Sequence, residues 1–169
     1  MSSNLGVSKK LIKISPVMTA DDNADNDVAF DWLPVKIGSN GGKLTSVAIL
    51  DGYDFGEAIE LVFCRGVGAE GTAPTDAQGL VDGAGLGSAA VDITQAEAQA
   101  IEICGHINIT YTEGDLITAR MSTTTNIGLI LQPAVQSDTI FIGGIWRANP
   151  TTFDSLATGL MDIYLGFED

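Results

Sequence analysis

The sequence predicts an all-β fold, an antiparallel sandwich or barrel, and three observations support this prediction. Apolar and polar residues alternate with a period of two, in runs rich in β-branched side chains. Turn-forming residues close most of these runs. The 169 residues are 45% hydrophobic, with 20 glycines and only five prolines, a globular composition that suits a β fold with many loops. A chain of this length can bury one sizeable core, so we expect a single domain.

Nine segments fit the strand pattern, which is enough for two packed sheets. They are residues 10–15, 28–37, 44–50, 58–64, 103–110, 116–121, 127–132, 139–147 and 160–167. The turns between them have a physical basis, because Gly, Asn and Asp reverse a chain at low cost through positive φ angles or side-chain hydrogen bonds. Three stretches carry such residues: Gly38-Ser-Asn-Gly-Gly42, Asp51-Gly52 and Glu113-Gly-Asp115.

One segment departs from the strand pattern. Thr94-Gln-Ala-Glu97 predicts a capping box, in which the threonine oxygen accepts from the Glu97 amide while the glutamate reaches back, so a short helix should span residues 95–101. Residues 66–88 precede it and are rich in glycine, alanine and small polar side chains, which predicts a long surface loop. Its Gly83-Ala-Gly85-Leu-Gly87 lacks the strand-to-helix setting and spacing of a dinucleotide fingerprint, and we interpret it as flexible loop.

The charge distribution is uneven. The chain carries 22 acidic and eight basic residues, a formal net charge of −14, yet Lys9, Lys10 and Lys13 lie within one short segment. The acidity argues against nucleic acid as a partner, since phosphate binding needs a basic face. The lysines themselves have two readings. They could protect an edge strand from aggregation, or they could dock on an acidic neighbour.

The termini and cysteines indicate a cytoplasmic site of synthesis. The first residues show neither a charged region leading into an apolar stretch nor a small-residue cleavage site, so we expect no signal peptide. No apolar run approaches the roughly 18 residues that predict a membrane span. Cys64 and Cys104 lie in apolar strand segments, where buried, inert thiols are favoured over a disulfide or metal pair. We expect no cofactor and no bound metal.

Candidate metal chemistry is limited to an Asp-rich stretch. Asp21, Asn23 and Asp25 alternate like the start of a calcium loop, but position six is Asn26 instead of glycine, and position twelve is Trp32 instead of glutamate. A solvated turn leading into a strand is favoured.

Catalytic signals are weak. His106 lies in an apolar strand without a cysteine or acidic residue at a helical metal-ligand spacing, which favours a packed or hydrogen-bonded sheet residue over a catalytic base. A glycosidase-type carboxylate pair among Glu57, Glu60 and Glu113 would be unspecific in so acidic a chain. Four aromatic side chains could stack on sugars if exposed, although core positions are favoured for the two tryptophans. They are Trp32, Tyr53, Tyr111 and Trp146. We therefore expect that the protein is not an enzyme.

A series of segments occurs in order along the chain. The early segments are Asp25-Asn-Asp27-Val, Gly42-Lys-Leu-Thr-Ser-Val-Ala-Ile-Leu-Asp51 and Ala58-Ile-Glu-Leu-Val-Phe63. The later ones are Thr94-Gln-Ala-Glu-Ala, Asn126-Ile-Gly-Leu-Ile-Leu131, Ile140-Phe-Ile-Gly-Gly-Ile-Trp-Arg147 with Pro150-Thr, and Leu165-Gly-Phe-Glu-Asp169. The order of these segments resembles a family of small tailed-bacteriophage virion proteins that decorate or cement the capsid. Together the segments cover most of the chain in order, while residues 66–88 and 104–112 match no family pattern.

The resemblance implies a jelly-roll β-sandwich that forms an oligomer, with a homotrimer favoured, on the capsid exterior over junctions between major capsid proteins. Residues 1–14 would be an N-terminal arm or first strand, and residues 15–169 a single sandwich domain. Lys9, Lys10 and Lys13 would then lie on the arm that binds the capsid, with neither nucleic acid nor membrane as a partner. The alternative is a virion-associated receptor- or glycan-binding module.

Overall fold

The computed structural model describes residues 9–18, 26–52, 58–75, 78–80, 90–110, 115–116, 119–147, 157–158 and 161–168. Their elements, in chain order, are β1 (Lys9–Ile14), β2 (Val17–Met18), β3 (Val28–Lys36), β4 (Gly42–Asp51), β5 (Ile59–Cys64), α1 (Gln95–Ala100), β6 (Ile103–Ile109), β7 (Asp115–Leu116), β8 (Ala119–Leu131), β9 (Thr139–Trp146), β10 (Ala157–Thr158) and β11 (Met161–Glu168). The all-β prediction is confirmed.

Two antiparallel sheets form the sandwich. One has the order β1-β11-β4-β8-β7 and the other β3-β9-β5-β6, while β2 and β10 pair separately. When the eight described strands longer than two residues are numbered along the chain, the sheet orders are 1-8-3-6 and 2-7-4-5. Consecutive strands therefore mostly alternate between sheets, which is the jelly-roll arrangement of two interleaved Greek keys. The strand order thus confirms the expected fold class.

The core lies between the two sheets and follows the alternation of the sequence. On β11, Met161, Ile163 and Leu165 point inward and are buried, while the residues between them are only half-buried. On β5, Ile59, Leu61 and Phe63 enter the same core from the opposite sheet. Burial of such a period-two apolar face is the main force that fixes strand register, because a one-residue slip would turn the whole set outward.

The second face of the four-stranded sheet is also covered. Leu80 is 1% exposed and packs with Val28, Val62 and Ile145 on this side. Ile101, which caps α1, packs on Cys64 and Phe141 in a further cluster that includes Ile93. This explains why β5 is buried at every position. Such a strand shows a continuous apolar run more than an alternation.

The predicted capping box at the start of α1 is confirmed. Thr94 Oγ1 accepts from the Glu97 amide, and Glu97 Oε2 accepts from the Thr94 amide at 2.7 Å. These bonds lower the pKa of Glu97, because the threonine hydroxyl and amide stabilise its carboxylate. The reciprocal bonds satisfy amides that have no intrahelical partner in the first turn. A helix of only six residues needs this local support.

The strand prediction was wrong in one region. Residues 116–121 do not form one strand, since Leu116 pairs with Ala119 and Asp115 with Arg120, so the chain reverses between β7 and β8. The predicted strand at 127–132 is in turn the second half of the 13-residue β8. Asn126 and Gly128 adopt positive φ angles there, and the pairing of β4 with β8 shifts register. A bulge of this kind breaks the alternation without ending the strand.

Candidate functional site: the open face of the five-stranded sheet

The lysine-rich segment is the edge strand of the five-stranded sheet. β1 pairs with β11 along all six residues, from Lys9 opposite Glu168 to Ile14 opposite Ile163. Ile12 and Ile14 pack against the core. Residues 9–14 are therefore an integral strand of the sandwich, and their lysines are held at fixed positions along its edge.

Lys13 is engaged with the neighbouring strand. Its Nζ lies 2.8 Å from an Asp162 carboxylate oxygen and 5.8 Å from the centre of the Tyr164 ring. Ser15 donates to the other Asp162 oxygen at 2.5 Å. The bond to Asp162 raises the pKa of Lys13, and the bonds from Lys13 and Ser15 lower the pKa of Asp162. Lys9 forms a looser pair with Glu168, at 3.7 Å.

Lys10 points the other way, across the side of the sandwich. Its Nζ donates to the backbone oxygen of Lys36 on β3, the edge strand of the opposite sheet, at 2.6 Å. A charged side chain directed inward at a sheet edge discourages a second sheet from pairing there. The geometry of Lys10 therefore matches edge protection, whereas Lys9 and Lys13 lie on the outward face.

That outward face carries apolar side chains in solvent. Leu11 is 69% exposed, Met121 47% and Ile130 74%, each on a strand whose alternate residues enter the core. Between them lie small residues such as Ala48, Thr123 and Gly166, so the surface is low in relief. We call this surface, formed by the outward residues of β1, β11, β4 and β8, the open face. Its main side chains are Lys9, Leu11, Lys13, Lys43, Met121, Ile130, Asp162, Tyr164 and Glu168.

A small polar depression interrupts the open face at the β8 bulge. It encloses about 240 Å³. Its lining residues are Lys43, Thr45, Asn126, Gly128 and Glu168. The positive φ angles of Asn126 and Gly128 and the register shift opposite Thr45 create this gap in the surface. The sequence analysis missed it, although the break in alternation at Asn126-Ile-Gly128 was a visible signal.

The other sheet contains a polar cluster centred on Glu60. The side chain of Glu60 is 10% exposed; His106 Nδ1 lies 2.5 Å from its Oε1, and Arg147 Nε donates to its Oε2 at 2.6 Å. Arg147 also donates to Asn26 Oδ1 and, through a second nitrogen, to Glu60. The sequence analysis found no acidic partner for His106, because the partner lies on the neighbouring strand and not at a helical spacing.

This cluster links elements of the fold. Glu60 lies in β5, His106 in β6 and Arg147 directly after β9, so one carboxylate joins three adjacent segments. A carboxylate removed from water needs such compensation by charge and hydrogen bonds. A glycosidase pair would need a second carboxylate nearby, and the other two glutamates considered, Glu57 and Glu113, lie outside the described residues. Within the described ranges, no group of three or more His, Cys, Asp or Glu side chains could hold a metal.

The remaining sequence predictions have mixed outcomes. Trp146 is fully buried in the core, as predicted, and Trp32 is half-buried, with its Nε1 donating to Gln78 O at 2.9 Å. Tyr53 and Tyr111 lie outside the described residues, as do Asp21–25. Asn26 adopts a φ of 73°, so it takes the left-handed conformation for which glycine is usual.

Both cysteines are free thiols, as predicted. Cys64 faces the covered outer side of its sheet, and burial raises its pKa to about 12. Cys104 packs toward the core and donates to Phe63 O at 3.4 Å; burial raises its pKa as well. The two thiols lie on opposite faces of the sheet, which accounts for their not being paired.

An open groove of about 550 Å³ lies beside Arg65, Glu102 and Pro133, next to Val135, which is 92% exposed. Among the described residues, no helix has the length and apolar character needed to cross a membrane.

Chains of known structure match this protein at the level of the fold. No protein-family model matches the sequence, and no curated protein matches it. The fold is similar to a chain in the X-ray structure of tomato aspermy virus, with a TM-score of 0.39 and 13% identity. That likeness covers 99% of this chain and 79% of the viral one.

Proposed function

We propose that this chain is a structural virion protein that binds the outer surface of a bacteriophage capsid and stabilises junctions between major capsid proteins, without catalysis. The observation that carries the proposal is the open face, where exposed Leu11, Met121 and Ile130 lie on a rigid sheet. Removing these side chains from water against a partner would be favourable, because burial of apolar surface drives most protein association. We propose a capsid as the partner because the order of sequence segments resembles that of phage decoration proteins.

The mechanism requires no chemical step. A protein that binds the assembled lattice but not its dissociated subunits stabilises the lattice by mass action. A β-sandwich suits this role because its sheet faces are preorganised, so little conformational entropy is lost on binding. Assembly of the chain as a homotrimer on the capsid exterior, after synthesis in the host cytoplasm, belongs to the same proposal.

The glycan-binding alternative has less support from the described residues. Trp146, its most prominent aromatic candidate, is buried in the core and presents no ring surface to a sugar. Trp32 is half-buried against Leu80 and Cys64. Sugar stacking needs an exposed ring face.

Co-sedimentation with capsids that lack this protein tests the proposal. We expect the purified chain to pellet with assembled capsids, to stay in the supernatant with free major capsid protein, and to raise the temperature at which the capsids dissociate. A glycan array run in parallel should show no binding. Binding to glycans without binding to capsids would reject the proposal in favour of the adhesion alternative.

Deletion of residues 1–13 is a poor test of this function. It would remove most of β1 together with Ile12, which packs against the core. Loss of binding would then be inseparable from damage to the sheet. Substitutions of exposed side chains avoid this problem.

A further inference from the structure

We propose that the open face docks on an acidic protein surface and that the depression beside Lys43 receives a carboxylate side chain of that partner. The inference rests on the proposed function, because it names the surface and the partner chemistry through which the capsid would be bound. Three properties of the open face carry it: its exposed apolar side chains, its charge, and the polar depression beside Lys43.

The apolar side chains give the surface its binding free energy. Ile130 and Met121 project from β8, and Leu11 projects from β1, so they flank the face from two sides. All three lie on strands fixed by the core, and burying them would therefore order little that is not already ordered. On the opposite sheet the outer sides of the two central strands, β5 and β9, are buried under Leu80 and Ile101.

The charge of the open face differs from that of the whole chain. The protein has a net charge of −14, but the face carries Lys9, Lys13 and Lys43 against two carboxylates, Asp162 and Glu168. Lys13 pairs with Asp162 and Lys9 with Glu168. Lys43 forms no ion pair with any of the described residues. Most of the molecular surface would repel an acidic partner, whereas the lysines of the open face would attract it.

A second copy of this chain fits the face less well. Face-to-face docking about a two-fold axis would oppose the same lysines, because an isologous contact presents identical patches to each other. Head-to-tail docking of an acidic side onto the face would close into a ring only if the rotation between copies allows it, and would otherwise build filaments. The charge therefore favours a different acidic protein surface.

The depression gives the contact a specific anchor. With a volume of about 240 Å³, it is open to the surface and lined by Lys43, Thr45 and Asn126. A carboxylate entering it would meet the Lys43 ammonium and the Asn126 amide as donors. Glu168 also lines the depression, and its pairing with Lys9 at 3.7 Å offsets its charge. Thr45 Oγ1 donates its proton to Gly166 O, so Lys43 and Asn126 are the donors that the carboxylate would use.

Capsid co-sedimentation with four variants tests this inference. Ile130→Asp and Lys43→Glu alter exposed side chains of the open face. Val135→Asp alters a valine that is 92% exposed elsewhere, and Lys36→Glu reverses an exposed lysine on the other sheet. We expect each open-face variant to weaken binding at least about tenfold, because each places a carboxylate against an acidic partner. Each control should stay within about twofold, and higher salt should weaken wild-type binding.

The outcomes distinguish failure of this inference from failure of the proposed function. If wild type binds capsids and the open-face variants bind equally well, the inference is wrong while the proposed function stands. If wild type does not bind capsids at all, both fail together. Sedimentation velocity of the free chain tests whether the open face instead binds a second copy. If the wild-type chain is an oligomer and Ile130→Asp dissociates it, the open face is a contact between copies and the inference of an acidic partner is wrong. Circular dichroism of all four variants should match wild type.

Discussion

The inner faces of the two sheets are both apolar and buried in the core, but their outer faces differ in how far they are covered. The four-stranded sheet is covered on its outer side by Leu80, Val91 and the end of α1, so that β5 is buried at every position. The five-stranded sheet leaves Leu11 and Ile130 in solvent. Residues between β5 and β6, among them Leu80 and Ile101, thus cover the centre of one sheet, whereas the outer face of the other sheet keeps Leu11 and Ile130 exposed, and we propose that this face binds a second molecule.

The largest expected difference in the free energy of unfolding is between truncation of Leu80, which covers the four-stranded sheet, and truncation of Ile130 on the open face. Leu80→Ala should lower the free energy of unfolding by about 2 to 5 kcal/mol, because Leu80 is 1% exposed and its loss leaves a cavity. Ile130→Ala should change it by less than about 0.5 kcal/mol, because that side chain is already in water. Urea denaturation measures both. Equal losses would mean that the two faces do not differ in the free chain.

Adding one methyl group on each face should have a smaller effect. A Cβ at Gly143 would lie 2.5 Å from Leu80 Cδ1 and 3.2 Å from the Trp32 ring. Gly143→Ala should therefore destabilise the protein by about 1 to 3 kcal/mol. A Cβ at Gly166 would clash with the Ser46 hydroxyl, but this oxygen lies on the open face and can rotate away. Gly166→Ala should cost less, and thermal unfolding of the pair checks the order.

The rate of thiol modification measures how well the covered side of the four-stranded sheet is shielded from solvent. Burial raises the pKa of Cys64 to about 12, so at pH 8 almost none of it is thiolate, and the chain above it blocks reagents. We expect Cys64 in a Cys104→Ser variant to react with an aromatic disulfide reagent only as fast as the protein unfolds. Rapid reaction in buffer would show that the covering segment opens freely. The reciprocal Cys64→Ser variant reports on Cys104 as a control.

The smallest effect concerns the ion pair on the open face. The folded-state pKa of Asp162 lies below its ordinary value of 3.8, so its contribution to stability is present above that pH and is lost as pH falls through the folded pKa. The pKa of Lys13 is raised above 10.5, so its contribution is complete below that pH and is lost as pH rises further. Lys13→Ala should raise the pKa of Asp162, measured by NMR titration, while Lys9→Ala should leave it unchanged.

The sequence was sufficient for the fold wherever burial on one face imposed alternation. It predicted β11, β4 and the capping box that begins α1 close to their observed bounds. It failed at β8, where the bulge at Asn126 and Gly128 interrupts the alternation although the strand continues. The two-residue strands β2 and β10 were also missed, because so short a pairing leaves no periodic signal.

The candidate site was only partly accessible from sequence. The segment Lys9, Lys10 and Lys13 was identified, but its division between an inward Lys10 and outward Lys9 and Lys13 follows from the strand's position at the edge. The contact of His106 with Glu60 depends on pairing between strands 46 residues apart, which no local pattern contains. Which sheet face stays uncovered depends on where Leu80 and Ile101 pack, and tertiary contacts decide this.

A reconstruction by electron cryomicroscopy of capsids decorated with the purified chain tests the central claim most directly. The account predicts density for the sandwich on the outer surface, with the open face and Ile130 directed toward the capsid shell and the side covered by Leu80 directed to solvent. The opposite orientation, with the four-stranded sheet against the shell, would contradict the account, as would capsids that carry no added density at saturating protein.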